Sequence, residues 1–195
     1  MNLNAYVEFV EADRTGRKAA ATTAIHAFIS SFESIDEKRT WVTEFLKTFS
    51  PGDKIRHELY ADVVFPVLLQ SYRNSDVWSI EWLAATSQNL YRARNLWAHV
   101  DFVTEQGLLK RWRTLAPESG QARVSLLRKM IEQFEYSEHE WPAGILHGMN
   151  GANIEECREI SDAVVEARQL DAEGKYASYL AEFQEKLDVY MQRIG

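Results

Sequence analysis

Residues 154–193, "IEECREISDAVVEARQLDAEGKYASYLAEFQEKLDVYMQR", decide the fold class. In the second half Tyr176, Tyr179, Leu180, Phe183, Leu187, Tyr190 and Met191 recur at three- and four-residue spacing, which at about 100° per residue gathers them on one helical face. Cys157, Ile160 and Val164 repeat the pattern in the first half, so Cys157 reads as a small core residue. The stretch therefore predicts two amphipathic helices, 154–172 and 175–193. Between them "DAEGKY" supplies Gly174, a helix-ending residue able to adopt positive φ.

The same period runs outward through the chain. Ile25, Phe28, Ile29 and Phe32 form a stripe in segment 19–32. Ser34 with Glu37 matches a capping box that opens a helix bearing Trp41, Phe45 and Phe49. Ser50 and Pro51 read as N-cap and first residue of the next helix, which carries Ile55, Leu59 and Val63 and should bend at Pro66, where the ring lacks an N–H. Trp78 and Trp82 stand four apart behind the cap-like "NSD", and a Pro, Ser and Gly break precedes Leu127, Met130, Ile131 and Phe134. No alternating run is long enough for a sheet. The expected fold is all-α: antiparallel helical hairpins packed in sequence, an α-α array or an irregular bundle, with residues 1–195 forming a single helical domain.

Composition limits the function classes. With 195 residues, 46% of them hydrophobic, the chain can bury a sizeable core. A single cysteine excludes an intramolecular disulfide and points to a reducing compartment. No stretch approaches the roughly 20 apolar residues that span a bilayer, and the N-terminus lacks a basic start followed by an apolar run. A cytoplasmic protein without membrane association is expected.

The one segment that departs from helical periodicity is "HEWPAGILHGMNGANIEEC", residues 139–157. Gly144, Gly148 and Gly151 fall within eight residues behind Pro142, so the backbone leaves the helix there. Asn153 with Glu156 is a capping-box variant that restarts it. His139, Trp141 and His147 are the candidate recognition residues of the loop. The plainer alternative packs Trp141, Ile145 and Leu146 on the core and leaves the histidines in water. His139–Glu140 begins like a zinc-protease motif, but Ala143 stands where the second histidine is required and Pro142 breaks the presenting helix. "GILHGMNG" is followed by no Lys-Ser or Lys-Thr, so no phosphate loop is formed. No catalytic residue, metal ligand or cofactor is expected, and the chain reads as a non-enzyme.

The net charge is −7, unevenly distributed. Residues 110–129 carry six bases against Glu118, whereas residues 130–195 carry 14 acids and 5 bases. Glu155, Glu159, Asp162 and Glu166 fall within about 60° of one another on a helix face. Like charges at this spacing cost about 0.2–0.5 kcal/mol per pair, so the stripe forgoes stability that interspersed lysines would have given. The competing explanation is a solvated face in which Arg158 pairs with Asp162 and the first acids favour the helix dipole. An acidic stripe repels nucleic acid and suits a basic protein partner.

Three resemblances bear on this. Trp82 and Leu83, taken as a helix start, with "LAPES" at 115–119, resemble the beginning and the proline-containing end of a tetratricopeptide-type repeat over at most 40 residues. That implies a scaffold binding a peptide in a groove lined by Trp78, Trp82 and Trp97. The stretches "HEWPAGILHGMNGANIEECREI" and "EGKYASYLAEFQEKLDVYMQRI" look similar to small helical bacterial proteins of unassigned function. A compact, acidic, helical chain without catalytic motifs resembles the immunity proteins. That resemblance implies an inhibitor neutralising a basic toxin, such as a nuclease, through Glu155, Glu159, Asp162 and Glu166 together with His139, Trp141 and His147. The remaining alternative is an enzyme or metal-binding protein using loop 139–147.

Overall fold

The computed structural model describes residues 1–49 and 54–195; Ser50 and Pro51, expected to start a helix, lie outside the described residues. The fold is all-α apart from one two-stranded ribbon. Two compact units divide the chain, Met1–Leu115 and Ala116–Gly195. Among the described residues no helix is long and apolar enough to cross a membrane.

In the first unit α1 (Leu3–Arg14) and α2 (Lys18–Ile29) form a hairpin that buries Ala5, Phe9, Ala21, Ala24, Ile25 and Phe28. Small residues let the helices approach closely, and the core is completed by aromatic rings. Tyr6, Phe28 and Trp41 meet at centroid distances of 5.0–5.2 Å, and Trp41 stacks on Phe45 at 4.7 Å. Such pairs contribute about 0.5–1.5 kcal/mol each beyond their area. Trp41 and Phe45 lie on α3 (Ile35–Lys47), whose N-cap is Ser34 as expected. The capping box is altered, however. Glu37 Oε2 accepts from the N–H of Glu33 at 2.9 Å rather than from Ser34, because Oε1 is drawn to the N-terminal amino group at 2.6 Å.

Proline 66 is accommodated without ending the helix. A short α4 (His57–Leu59) passes through a π-helical turn, Tyr60–Val64, into α5 (Phe65–Arg73). The Asp62 carbonyl, deprived of its usual N–H partner at the proline, accepts a hydrogen bond from Lys38 Nζ at 2.7 Å. Asp76 then caps α6 (Val77–Ala85), so Trp82 lies inside that helix, not at its start as the repeat resemblance required. The cap signal is local and strong, and it sets the boundary five residues earlier.

Two short helices, α7 (Ser87–Arg92) and α8 (Arg94–Ala98), lead to α9 (Glu105–Leu115), which packs on α6. The loop before α9 holds Asp101 and Phe102 both at φ 54°, a left-handed conformation that non-glycine residues adopt only when neighbours enforce it. The enforcing bonds run from Trp97 Nε1 to the Val103 carbonyl, 2.7 Å, and from the Glu105 N–H to the Tyr91 hydroxyl, 2.6 Å.

The second unit contains α10 (Gly120–Ser137), α11 (Ile154–Leu170) and α12 (Ala177–Ile194). Their shared core includes Leu126, Met130, Phe134, Cys157, Val164, Leu180, Phe183 and Leu187, all buried. Phe134 and Phe183 stack at 4.9 Å, and Lys186 ties Glu138, the C-cap of α10, to Glu182 of α12 at 3.0 and 2.8 Å. Gly174 does take positive φ, 67°, but α11 ends earlier, at Leu170. Asp171 terminates it, since its carboxylate accepts from the N–H groups of Lys175 and Tyr176 at 3.0 and 2.7 Å. Tyr176 is consequently the half-buried N-cap of α12 rather than a member of the buried face.

Candidate functional site

The segment between α10 and α11 folds back as a small antiparallel ribbon, β1 (Leu146–His147) paired with β2 (Asn150–Gly151), in register Leu146 to Gly151 and His147 to Asn150. Gly148, at φ 60°, takes the first central position of the two-residue turn, which glycine accepts without steric cost. The second central residue is Met149, 92% exposed, the most exposed large hydrophobic residue among those described. Strands of two residues carry no periodicity, which is why the ribbon is invisible to pattern reading.

One bond extends the ribbon's pairing and three attachments fix it to the helices. Buried Ile145 accepts from the N–H of Ala152 at 2.8 Å, prolonging the pairing toward the core. The hydroxyl of Tyr190 donates to the Ala152 carbonyl at 3.1 Å. Tyr190 also explains two glycines: a Cβ on Gly151 would stand 3.2 Å from its hydroxyl, and one on Gly144 would stand 3.6 Å from its ring. Arg193 Nη1 donates to the Pro142 carbonyl at 2.8 Å, with the guanidinium 5.4 Å from the ring centroids of both Trp141 and Tyr190. Finally, Glu156 joins ribbon and helix. Its Oε2 accepts from the N–H of Asn153 at 2.8 Å, while Oε1 pairs with His147 Nδ1 at 3.1 Å.

Asn153 closes the capping box, accepting from the N–H groups of Glu155 and Glu156 at 2.9 and 3.0 Å. The N–H of Asn153 holds the Glu156 carboxyl below the ordinary carboxylate range; burial opposes this, and His147 adds to the lowering. Burial pushes the Cys157 thiol up, with Glu156 adding to the effect. That cysteine is buried and unpaired with any other.

The sequence-derived site residues fall into three groups. Glu155, Glu159 and Asp162 project from the exposed face of α11, and none of their carboxylates forms an ion pair among the described residues. No ion pair joins Arg158 to Asp162 there either. Glu166 is half-buried at the far end of the stripe. His147 and Trp141 belong to the ribbon's attachments, His147 exposed and Trp141 half-buried, whereas His139 is exposed just beyond α10. Glu156, Tyr190, Arg193 and Met149 escaped the sequence reading as site residues. Glu156 was visible as a cap, but its second oxygen finds His147 only once the ribbon forms.

The other candidates are dispersed. Trp82 packs against Phe49 at 6.3 Å, while Trp97 packs against Tyr91 and Phe102 at 5.0 and 5.4 Å, so these two rings share no aromatic neighbour. At least three of the six cations of segment 110–129 have partners within their own unit. Arg111 lies 4.4 Å over the Tyr72 ring, Arg123 donates to the Leu170 carbonyl at 2.6 Å, and Lys129 pairs with Glu132 at 3.2 Å. Among the described residues no group of three His, Cys, Asp or Glu side chains is arranged to hold a metal.

The geometry thus defines an all-α chain whose second unit presents an acidic helix face next to a braced ribbon with an apolar tip. Compared with known proteins, the chain matches no protein family, no curated protein and no solved structure.

Proposed function

We propose that the chain is a protein-binding module that captures a basic protein through its second unit, in the manner of an immunity protein neutralising a cationic toxin. The observation that carries this reading is the separation of charge. Residues 1–115 hold 14 acids and 14 bases, so the entire net charge of −7 resides in residues 116–195, with 15 acids and 8 bases. Within that unit Glu155, Glu159 and Asp162 leave their charge uncompensated by ion pairs, beside a ribbon tip carrying exposed Met149. A field of one sign accelerates encounter with a partner of the other, and an apolar anchor next to it slows release.

The test uses the product of the adjacent reading frame, co-produced with the chain and purified through it. The expected result is a complex whose association rate falls as salt is raised. Glu159→Lys combined with Asp162→Lys should slow association roughly tenfold or more at low ionic strength while leaving the melting temperature unchanged, because exposed substitutions alter stability by only about 0.5 kcal/mol. Failure of the two products to associate, or association unaltered by the charge reversal, overturns the reading.

A further inference from the structure

Helix α1 has a second apolar side that no other described residue covers. Leu3, Val7 and Val10 are 53%, 64% and 45% exposed and lie within about 60° of one another, opposite the buried Ala5, Phe9 and Ala12. Beside this ridge runs an open groove of about 360 Å³, bounded by Val7, Glu8, Glu11, Arg17, Ala20 and Ala24. Its floor is alanine because only small side chains let the two helices close to that distance. Contiguous exposed aliphatic side chains rimmed by charges mark an association surface.

We infer that a second copy of this chain occupies this face, related by a two-fold axis. Two observations select that occupant. First, ridge and groove sit side by side on one hairpin, so a two-fold seats the ridge of each copy in the groove of the other and covers both with a single set of contacts. Second, the hairpin is electrically balanced and polarised. Residues 1–29 contain Glu8, Glu11 and Asp13 against Arg14, Arg17 and Lys18; Glu8 and Glu11 stand on the α1 lip, Glu11 paired with Arg14 at 3.0 Å, Arg17 and Lys18 stand at the turn, and Asp13 points away from the groove to Arg56 at 3.7 Å. Antiparallel docking brings the basic turn of each copy toward the acidic lip of the other. A second copy meets no net repulsion here, unlike at the acidic second unit.

Sedimentation equilibrium of the full chain tests this. A monomer–dimer equilibrium populated at about 100 μM is expected. Val7→Glu should weaken it at least tenfold, whereas Val124→Glu, at a site 51% exposed on α10, should not. The charge pattern gives a sharper signature. Glu8→Arg and Arg17→Glu should each weaken self-association, since each sets like charges opposite one another twice, and an equimolar mixture of the two variants should recover it as a heterodimer. A chain that stays monomeric up to about 1 mM, a dimer indifferent to Val7→Glu, or a mixture that recovers nothing overturns the inference. So does a surface that binds only an unrelated protein. Circular dichroism of each variant confirms that the helices survive.

Discussion

Replacing Asn153 isolates the device that joins the ribbon to α11. The Asn153 Oδ1 accepts from two of the otherwise unsatisfied N–H groups at the start of that helix, Glu155 at 2.9 Å and Glu156 at 3.0 Å. Alanine removes both acceptor contacts but keeps the backbone N–H that Glu156 holds, so half of the box survives. The loss is that of a good cap, about 1 kcal/mol, with glycine costing only a few tenths because water then reaches the free N–H groups and the extended cap conformation is easily adopted. In a unit of 60–100 residues 1 kcal/mol corresponds to about 4–8 °C in melting temperature. Asn153→Ala should therefore lower the melting of the second unit by about 5 °C and Asn153→Gly by about 2 °C. Circular dichroism at 222 nm, with urea titration as a second measure, reads both. Equal losses for the two variants, or a change under 1 °C for alanine, would refute the capping argument and place the stability of this corner in Ile145 and Tyr190 instead.

Glu156 carries a sign that can be checked with pH. Its folded value lies below its unfolded one, so its stabilising effect is present above the unfolded value and is lost as pH falls through the folded value. Between about pH 5 and pH 3 the wild type should accordingly lose more stability than Glu156→Gln, and parallel curves would contradict the assignment. Gly151→Ala should destabilise by about 1 kcal/mol through the Tyr190 hydroxyl, and should cost less in a Tyr190→Phe background; additive losses would exclude that contact. Cys157, buried with a raised pKa, should react with an aromatic disulfide reagent only as fast as the second unit opens, and rapid labelling in native buffer would show the thiol to be accessible.

Local signals were legible in the sequence and distant ones were not. The stripes of residues 154–193 identify two helices because the core they face is continuous, and Phe183 and Leu187 are fully buried accordingly. The Asn153 box is legible because its partners lie within three residues. Ser34 is the cap its spacing predicts, yet Glu37 serves Glu33 and the N-terminal amino group, a contact across 36 residues that no spacing encodes. Gly174 marks a turn, but Asp171 ends the helix through side-chain bonds to residues ahead of it. At the site the acidic stripe follows from helical geometry alone. The His147–Glu156 pair and the stacking of Arg193 on Trp141 depend instead on how ribbon and helices come together.

The exposed turn residue has a chemical consequence of its own. Of the four methionines, Met130 is buried, Met191 is half-buried and Met1 is 39% exposed, whereas Met149 is 92% exposed. Its thioether is the one an oxidant in water meets most freely, and conversion to the sulfoxide replaces a soft apolar group by a polar, chiral one. Nothing in the core leans on that sulfur, so the fold should persist through oxidation while the character of the tip changes. A partner that seats this side chain would sense peroxide through it, and a sulfoxide reductase would reverse the effect.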